Sequence, residues 1–392
     1  MARIGIAGAG LLGRLAAWQL SPHHDVTVFD PADGPQARSD GQGPAAFTAA
    51  GMLSPLAELD NSGPAIAALG WRSLALWREI TDALARAGSP DAGALPAACG
   101  SCTGCSTSLG TGEEPALQLR TLGSLLVAHG CDLGAAQRVL ARLAQAPNLA
   151  GTAQTPQRLD RDTLTALEPA IDPLLHAWLL PGEGQILPLQ VLPALCAAAP
   201  RVRWRWRHTV ASVQPGRIVL DDGSEQRFDL AIDVRGTGAR PELPVRGVRG
   251  EVVWLHAPGV PLQRPVRLLH PRHRVYIVPR PGDHIVIGAS EIESEDRSPV
   301  SLRSAVELMA AAQSVISELA EARIVHLETN LRPALPDNEP RIEQADGLLR
   351  INGLYRHGWL LAPALVEDAI AALPLRRCAV DMDQAPSPVN PC

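Results

Sequence analysis

Gly8, Gly10 and Gly13 stand at G-x-G-x-x-G spacing with Leu11 and Leu12 between them, and Asp30 follows 17 residues after Gly13. Glycines so placed let a chain turn sharply, bring backbone N–H groups against a pyrophosphate and let a helix pack on a strand. A carboxylate at that distance is placed to accept from a ribose diol. Cys99, Cys102 and Cys105 offer three of the four ligands of a zinc or iron–sulfur site. The next cysteine, Cys131, lies 26 residues further on. The surroundings are Gly, Ser, Pro, Ala and Thr, so the stretch reads as a thiol-bearing surface insertion and no metal is expected. Arg203, Arg205 and Arg207 alternate with Trp204 and Trp206, the pattern of a sheet with one solvated face. All 35 basic residues are arginine. Without lysine, neither a Schiff base nor a Walker A phosphate site is possible.

The elements around the glycines are those a dinucleotide site needs. Ile4–Ala7 reads as a buried parallel strand, Leu12 to Leu20 as the helix leaving the turn, and Val26–Phe29 as a second strand ending on Asp30. Phe47 to Leu53, rich in small residues, reads as a helix start close to a cofactor or as a helix packed tightly on a neighbour. Residues 64 to 87 are spaced as a long amphipathic helix, and 133–144 and 160–168 as shorter ones. Gly182 to Pro188 is expected to be a turn before a helix from Leu189 to Ala198. Val202 to Val213 reads as one strand, and Arg217–Leu220 and Phe228–Val234 complete a meander with it. A second glycine-rich turn, Arg235 to Ala239, follows. Strands are then expected at 250–256, 274–279, 284–288, 323–331 and 348–352, with a helix over 300–319 and a last helix over about 362–373.

The 392 residues suffice for two domains, and 46% apolar with 19% charged residues is the balance of a globular chain. A net charge of −6 gives no general attraction to nucleic acid or to an anionic membrane. There is no uncharged apolar run long enough to span a bilayer. The first strand begins within three residues of Met1, so no signal peptide is read and cytoplasmic residence is expected.

Several stretches together resemble the D-amino-acid-oxidase-like family of FAD enzymes, and most of all its bacterial glycine oxidases of thiamine biosynthesis. They are Gly8 to Gly13, Ala49 to Leu53, Arg235 to Ala239 with Arg246 to Glu251, Tyr276 to Arg280, Ile287 to Ser290, Leu331 to Ala334 with Pro336 to Asn338, and Tyr355 to Pro363. The resemblance implies an α/β fold in which a Rossmann-like FAD-binding domain is interleaved with an α+β substrate domain on a mixed, largely antiparallel sheet. It implies FAD-binding segments 1–85, 168–246 and 330–378, substrate-binding segments 86–167 and 247–329, and a mobile tail at 379–392. FAD, held without a covalent bond, would lie against Gly8, Gly10, Leu11, Leu12, Gly13 and Asp30. It would continue past Thr48, Ala49, Ala50, Gly51 and Met52, then Val210, Gly236 and Gly238, and end among Arg332, Gly353, Tyr355, Arg356, His357, Gly358, Trp359 and Leu360.

The resemblance also implies roles. Arg332 pairs with a substrate carboxylate, Tyr276 faces the same substrate, Arg356 lines the pocket and Met52 limits substrate size. The implied reaction is oxidation of a small amino acid, glycine first, by hydride transfer. It gives an imine, or glyoxylate and ammonia, with hydrogen peroxide if oxygen is the acceptor; another electron acceptor is the alternative. Delivery to thiazole synthesis is part of the expectation. Sarcosine or a D-amino acid is the alternative substrate, and a flavoprotein that modifies a partner protein is the alternative class. A homo-oligomer is common in such enzymes. Arg274 stands where relatives can place a histidine, and the absence of cysteine from Tyr355 to Pro363 argues against the covalent flavin of sarcosine oxidases.

Overall fold

The computed structural model describes residues 1–38, 43–60, 62–87, 119–144, 155–270 and 274–374. Cys99, Cys102, Cys105, the 379–392 tail and the side chain of Arg274 lie outside what is described. The chain opens with β1 (Arg3–Ala7), α1 (Leu11–Leu20) and β2 (Asp25–Asp30), and β1 and β2 pair in parallel from Arg3 opposite Asp25 to Ala7 opposite Phe29. Ile4, Ile6, Val26 and Val28 are fully enclosed, and Leu11, Leu15 and Leu20 cover them from α1, which is why this unit is a strand, a helix and a strand.

Next come α2 (Ala45–Thr48), β3 (Met52–Leu53) and α3 (Pro64–Arg86). The helix at Phe47 is a short one, Ala45–Thr48, which lines the cavity at its start as well as at its end. Gly51 has φ +60°, and a Cβ on it would lie 2.3 Å from the Ile186 carbonyl oxygen, so the chain turns out of the helix into a short strand. After α3 follow β4 (Leu119–Arg120), β5 (Ser124–Ala128), α4 (Leu133–Ala144), β6 (Gln157–Leu159), α5 (Arg161–Leu167), β7 (His176–Leu180), β8 (Gly184–Ile186) and α6 (Pro188–Ala197). The expected turn at Gly182 to Pro188 contains β8, which pairs with β3 and β4.

The expected strand from Val202 to Val213 is two strands, β9 (Arg203–Trp206) and β10 (Val210–Gln214), in different sheets. Arg207, at φ +61°, breaks them. Trp204 and Trp206 do share a face, stacked at 5.5 Å. The meander is completed by β11 (Arg217–Leu220) and β12 (Glu225–Arg227), while β13 (Leu230–Asp233) leaves it to lie beside β1. Then come β14 (Arg246–His256), β15 (Val266–Leu269), β16 (Arg274–Arg280), β17 (His284–Gly288), α7 (Leu302–Gln313), β18 (Arg323–Ala334), β19 (Arg341–Ala345), β20 (Leu348–Asn352) and α8 (Gly358–Ala371).

α8 starts four residues before the expected Ala362. Pro363 sits inside the helix, and the carbonyl its missing N–H leaves free is that of Trp359. Trp77 Nε1 of α3 donates to that oxygen at 2.8 Å, so the proline is tolerated.

Two sheets carry the molecule. A six-stranded sheet runs β19-β20-β13-β1-β2-β9, with β20, β13, β1, β2 and β9 parallel. An eight-stranded sheet runs β18-β14-β17-β16-β15-β5-β7-β6 and is antiparallel except where β15 meets β5. One core fills the space between the first sheet and α1, α3, α6 and α8; another lies between the second sheet and α7. Because β7 joins the eight-stranded sheet, the segment 168–246, expected wholly in the FAD-binding half, contributes to both sheets.

Candidate active site

A cavity of about 560 Å³ lies between the carboxyl ends of β1, β2 and β13 and one face of the eight-stranded sheet. Its nucleotide end is backbone. Gly8 and Gly10 line it with Leu11 and Leu12, and α1 begins at Leu11 with no side chain capping its N–H groups, so those donors are left for an anion. Asp30 is buried at the end of β2, its carboxylate accepting from the N–H of Ala9 at 2.6 Å and of Ala32 at 2.9 Å, and it too lines the cavity. Thr48, Ala49, Ala50, Gly51, Met52, Val210, Gly236 and Gly238 form the walls, and Tyr355, Arg356, His357, Gly358, Trp359 and Leu360 the far end.

Two expected cofactor residues do not line it. Gly13 faces β1, where a Cβ would stand 1.9 Å from the Gly8 carbonyl oxygen; Gly353, at φ +79°, packs on Leu335, whose Cδ1 a Cβ would meet at 2.7 Å. Both are glycine to permit packing and turning, and they act on the cavity through its shape.

The other side is set by strand register. Glu328, Val252, Gly288, Tyr276, Arg267 and Leu126 form one row across β18, β14, β17, β16, β15 and β5. Two glycines make the floor. The Arg332 guanidinium lies over Gly250, where a Cβ would be 2.5 Å from its Cζ, and the Tyr276 phenol lies over Gly288, where a Cβ would be 2.4 Å from its hydroxyl. Arg332 Nη1 donates to the carbonyls of Ser290 at 3.1 Å and Arg249 at 3.3 Å, and among the described residues no carboxylate pairs with it. Burial raises the Tyr276 pKa, partly countered by Arg332, Arg280, Arg267 and Arg356, so the phenol is neutral and can donate. Met52 stands half-buried on the wall, and Arg332, Tyr276, Arg356 and Met52 all face the one cavity.

Beside them is a charge cluster in which the expected Arg356 and His357 meet Glu58, Arg267 and Glu183, which the sequence did not point to. Glu58 is buried and accepts from Arg267 Nη2 at 2.8 Å, with Arg356 Nη2 at 3.3 Å and His357 Nδ1 at 3.4 Å. Burial works against its ionisation, but Arg267, Arg356 and His357 outweigh burial and hold its pKa at about 2. Glu183, also buried, accepts from the Ala57 N–H at 2.9 Å and from the Ser124 hydroxyl. There burial wins over Arg267 and these donors and lifts the carboxyl to about 7. Tyr355, at φ +51°, donates its hydroxyl to Glu291, which also lies 3.6 Å from Arg356. Thr48 donates to Glu328 and accepts from Asn330 Nδ2 at 3.0 Å, fastening α2 to β18. The one available signal for this cluster was a lone arginine in the apolar run Val266–Leu269.

The uncapped helix start, the glycine-lined backbone walls and the buried acid at the end of β2 fit the pyrophosphate and ribose of a dinucleotide. Comparison with known proteins agrees. The family model of FAD dependent oxidoreductases, DAO, matches residues 3–371. A Rhizobium etli protein named as a thiamine biosynthesis oxidoreductase, ThiO, is 34% identical over 374 residues, covering 95% of this chain and 96% of its own. A glycine oxidase of Geobacillus kaustophilus is 26% identical over 390 residues, covering 92% of this chain and 89% of its own. Among solved structures, glycine oxidase from Geobacillus kaustophilus superposes with a TM-score of 0.75 at 24% identity, covering 95% of this chain and 94% of that one. Iminodiacetate oxidase from Chelativorans sp. BNC1 also has a TM-score of 0.75, at 21% identity, covering 95% and 96%. Among the described residues no helix is long and apolar enough to cross a membrane. The chain belongs to the DAO family and is an FAD-dependent oxidoreductase.

Proposed function

We propose that this oxidoreductase oxidises a small amino acid, glycine first, at the carbon bearing the amine, and that its product enters thiazole synthesis for thiamine. The observation that carries the reading is Arg332, a guanidinium over a glycine floor with no carboxylate partner among the described residues, aimed into the cavity beside a neutral Tyr276. Such a planar fork takes a carboxylate through two parallel N–H donors. FAD, when bound, supplies the two-electron acceptor for the hydride on the substrate carbon.

The chain's own work is placement. Arg332 fixes the acid from β18, Tyr276 donates from β16 of the same sheet, and Met52 limits what can extend from the reacting carbon. Arg267 pairs with Glu58, and Arg356 lies against both Glu58 and Glu291, so these two guanidiniums already have carboxylate partners while Arg332 has none among the described residues. A neutral amine needs no separate base in the carbon–hydrogen step. Loss of hydride leaves an iminium, which releases a proton to give the imine, and water converts this to glyoxylate and ammonia. If oxygen takes the two electrons back, hydrogen peroxide forms. The names of the Rhizobium etli and Geobacillus kaustophilus relatives support this choice of substrate and pathway.

Arg332→Ala tests it. Loss of a charge-assisted pair is expected to lower kcat/KM for glycine about 100-fold, mostly through KM, with the yellow colour kept. Normal turnover of glycine by that variant contradicts the assignment.

A further inference from the structure

The direction of the Arg332 fork depends on two carbonyl oxygens, those of Arg249 and Ser290, to which its Nη1 donates. Both residues are held by one side chain. Glu251, fully buried, accepts through Oε1 from Arg249 Nε at 3.1 Å, Arg249 Nη2 at 2.6 Å and the Ser301 N–H at 2.9 Å. Its Oε2 accepts from the Ser290 hydroxyl at 2.9 Å, and its own N–H donates to that hydroxyl oxygen at 3.0 Å. Arg249 in turn donates to the carbonyls of Asp296 at 2.7 Å and Pro299 at 2.8 Å. One carboxylate thus ties β14 to both ends of the 290–301 segment, which carries Glu291 and Arg297 to the cavity wall. Glu251 is not itself part of that wall.

We propose that Glu251 is a positioning residue for Arg332, fixing the two carbonyls that aim its guanidinium at the substrate carboxylate. The proposal rests on the reading of Arg332 given above. A carboxylate that merely neutralised Arg249 would need one oxygen; here the second is committed to Ser290, the other residue that Arg332 touches. Aim is what such a support controls, since a fork misdirected by a fraction of an ångström loses one of its two bonds.

The test is a double-mutant cycle on the FAD-loaded enzyme. Glu251→Gln and Arg332→Ala, singly and together, are compared for KM and kcat with glycine, for acetate binding read from the flavin spectrum, and for FAD affinity. Glu251→Gln is expected to raise KM and weaken acetate about tenfold, with kcat and FAD affinity within about twofold of wild type. In the Arg332→Ala background it should add less than about twofold, because the fork it aims is gone. No effect on acetate in the wild-type background, or the same tenfold loss in both backgrounds, overturns the proposal. Ser290→Ala, which removes a single hydroxyl, should show the same pattern at a smaller size, and it decides by the same criteria if Glu251→Gln fails to retain FAD. Arg332→Ala leaving glycine and acetate binding untouched would instead overturn the reading beneath the proposal.

Discussion

Glu58 and Glu183 lie near the same arginine and have opposite protonation behaviour, because Glu58 faces two guanidiniums and the His357 ring while Glu183 receives mainly neutral donors. The difference is testable as stability against pH. Glu183 in the unfolded chain titrates near 4.5, and in the folded protein at about 7. Between those values the folded state keeps a proton that the unfolded state has lost, so this group's contribution to stability falls as pH rises and is least favourable above about pH 7. In Glu183→Gln the amide oxygen can accept from the Ala57 N–H and the amide N–H₂ can donate to the Ser124 hydroxyl. The variant should match wild type near pH 4.5 and exceed it by on the order of 3 kcal/mol above pH 7, in urea unfolding from about pH 5 to about pH 8. Parallel curves for the two proteins would contradict the assignment. Residues such as Arg332 and Tyr276 are legible in the sequence because each sits in a short stretch of recognisable order. Glu58, Arg267 and Glu183 are not, because their environment is assembled from segments more than a hundred residues apart in the chain.

Elements were legible where one face was buried by local pattern and illegible where a single backbone feature decided. The parallel unit from Arg3 to Asp30 follows from its apolar strands and glycines. The break at Arg207 depends on one left-handed residue within a pattern that alternates on both sides of it. α8 shows a tertiary contact overruling a local signal, since Trp77 Nε1 occupies the oxygen that Pro363 leaves without a helical donor. Trp77→Phe should therefore lower stability by about 1–2 kcal/mol beyond the packing change, and adding Pro363→Ala should recover part of that loss by restoring the helical donor. Thermal or urea unfolding of the single and double variants measures it. Identical losses with and without the alanine would show that the bond carries nothing.

At the scale of the molecule, the parallel sheet presents its carboxyl ends, and the antiparallel sheet presents a row of side chains over two glycine positions. Neither sheet makes the cavity alone: one end is lined by residues up to Met52 and near Gly236, one side by residues of β14, β16 and β18, and the far end by Tyr355 to Leu360. β7, from the segment 168–246, belongs to the second sheet. The central claim is that this cavity brings a small amino acid to bound FAD, with Arg332 holding its carboxylate. The most direct measurement is the visible absorbance spectrum of the purified protein before and after anaerobic addition of glycine. The expected result is a flavin spectrum that bleaches on addition and returns when an electron acceptor is admitted. A flavin-loaded protein whose spectrum glycine leaves unchanged would contradict it.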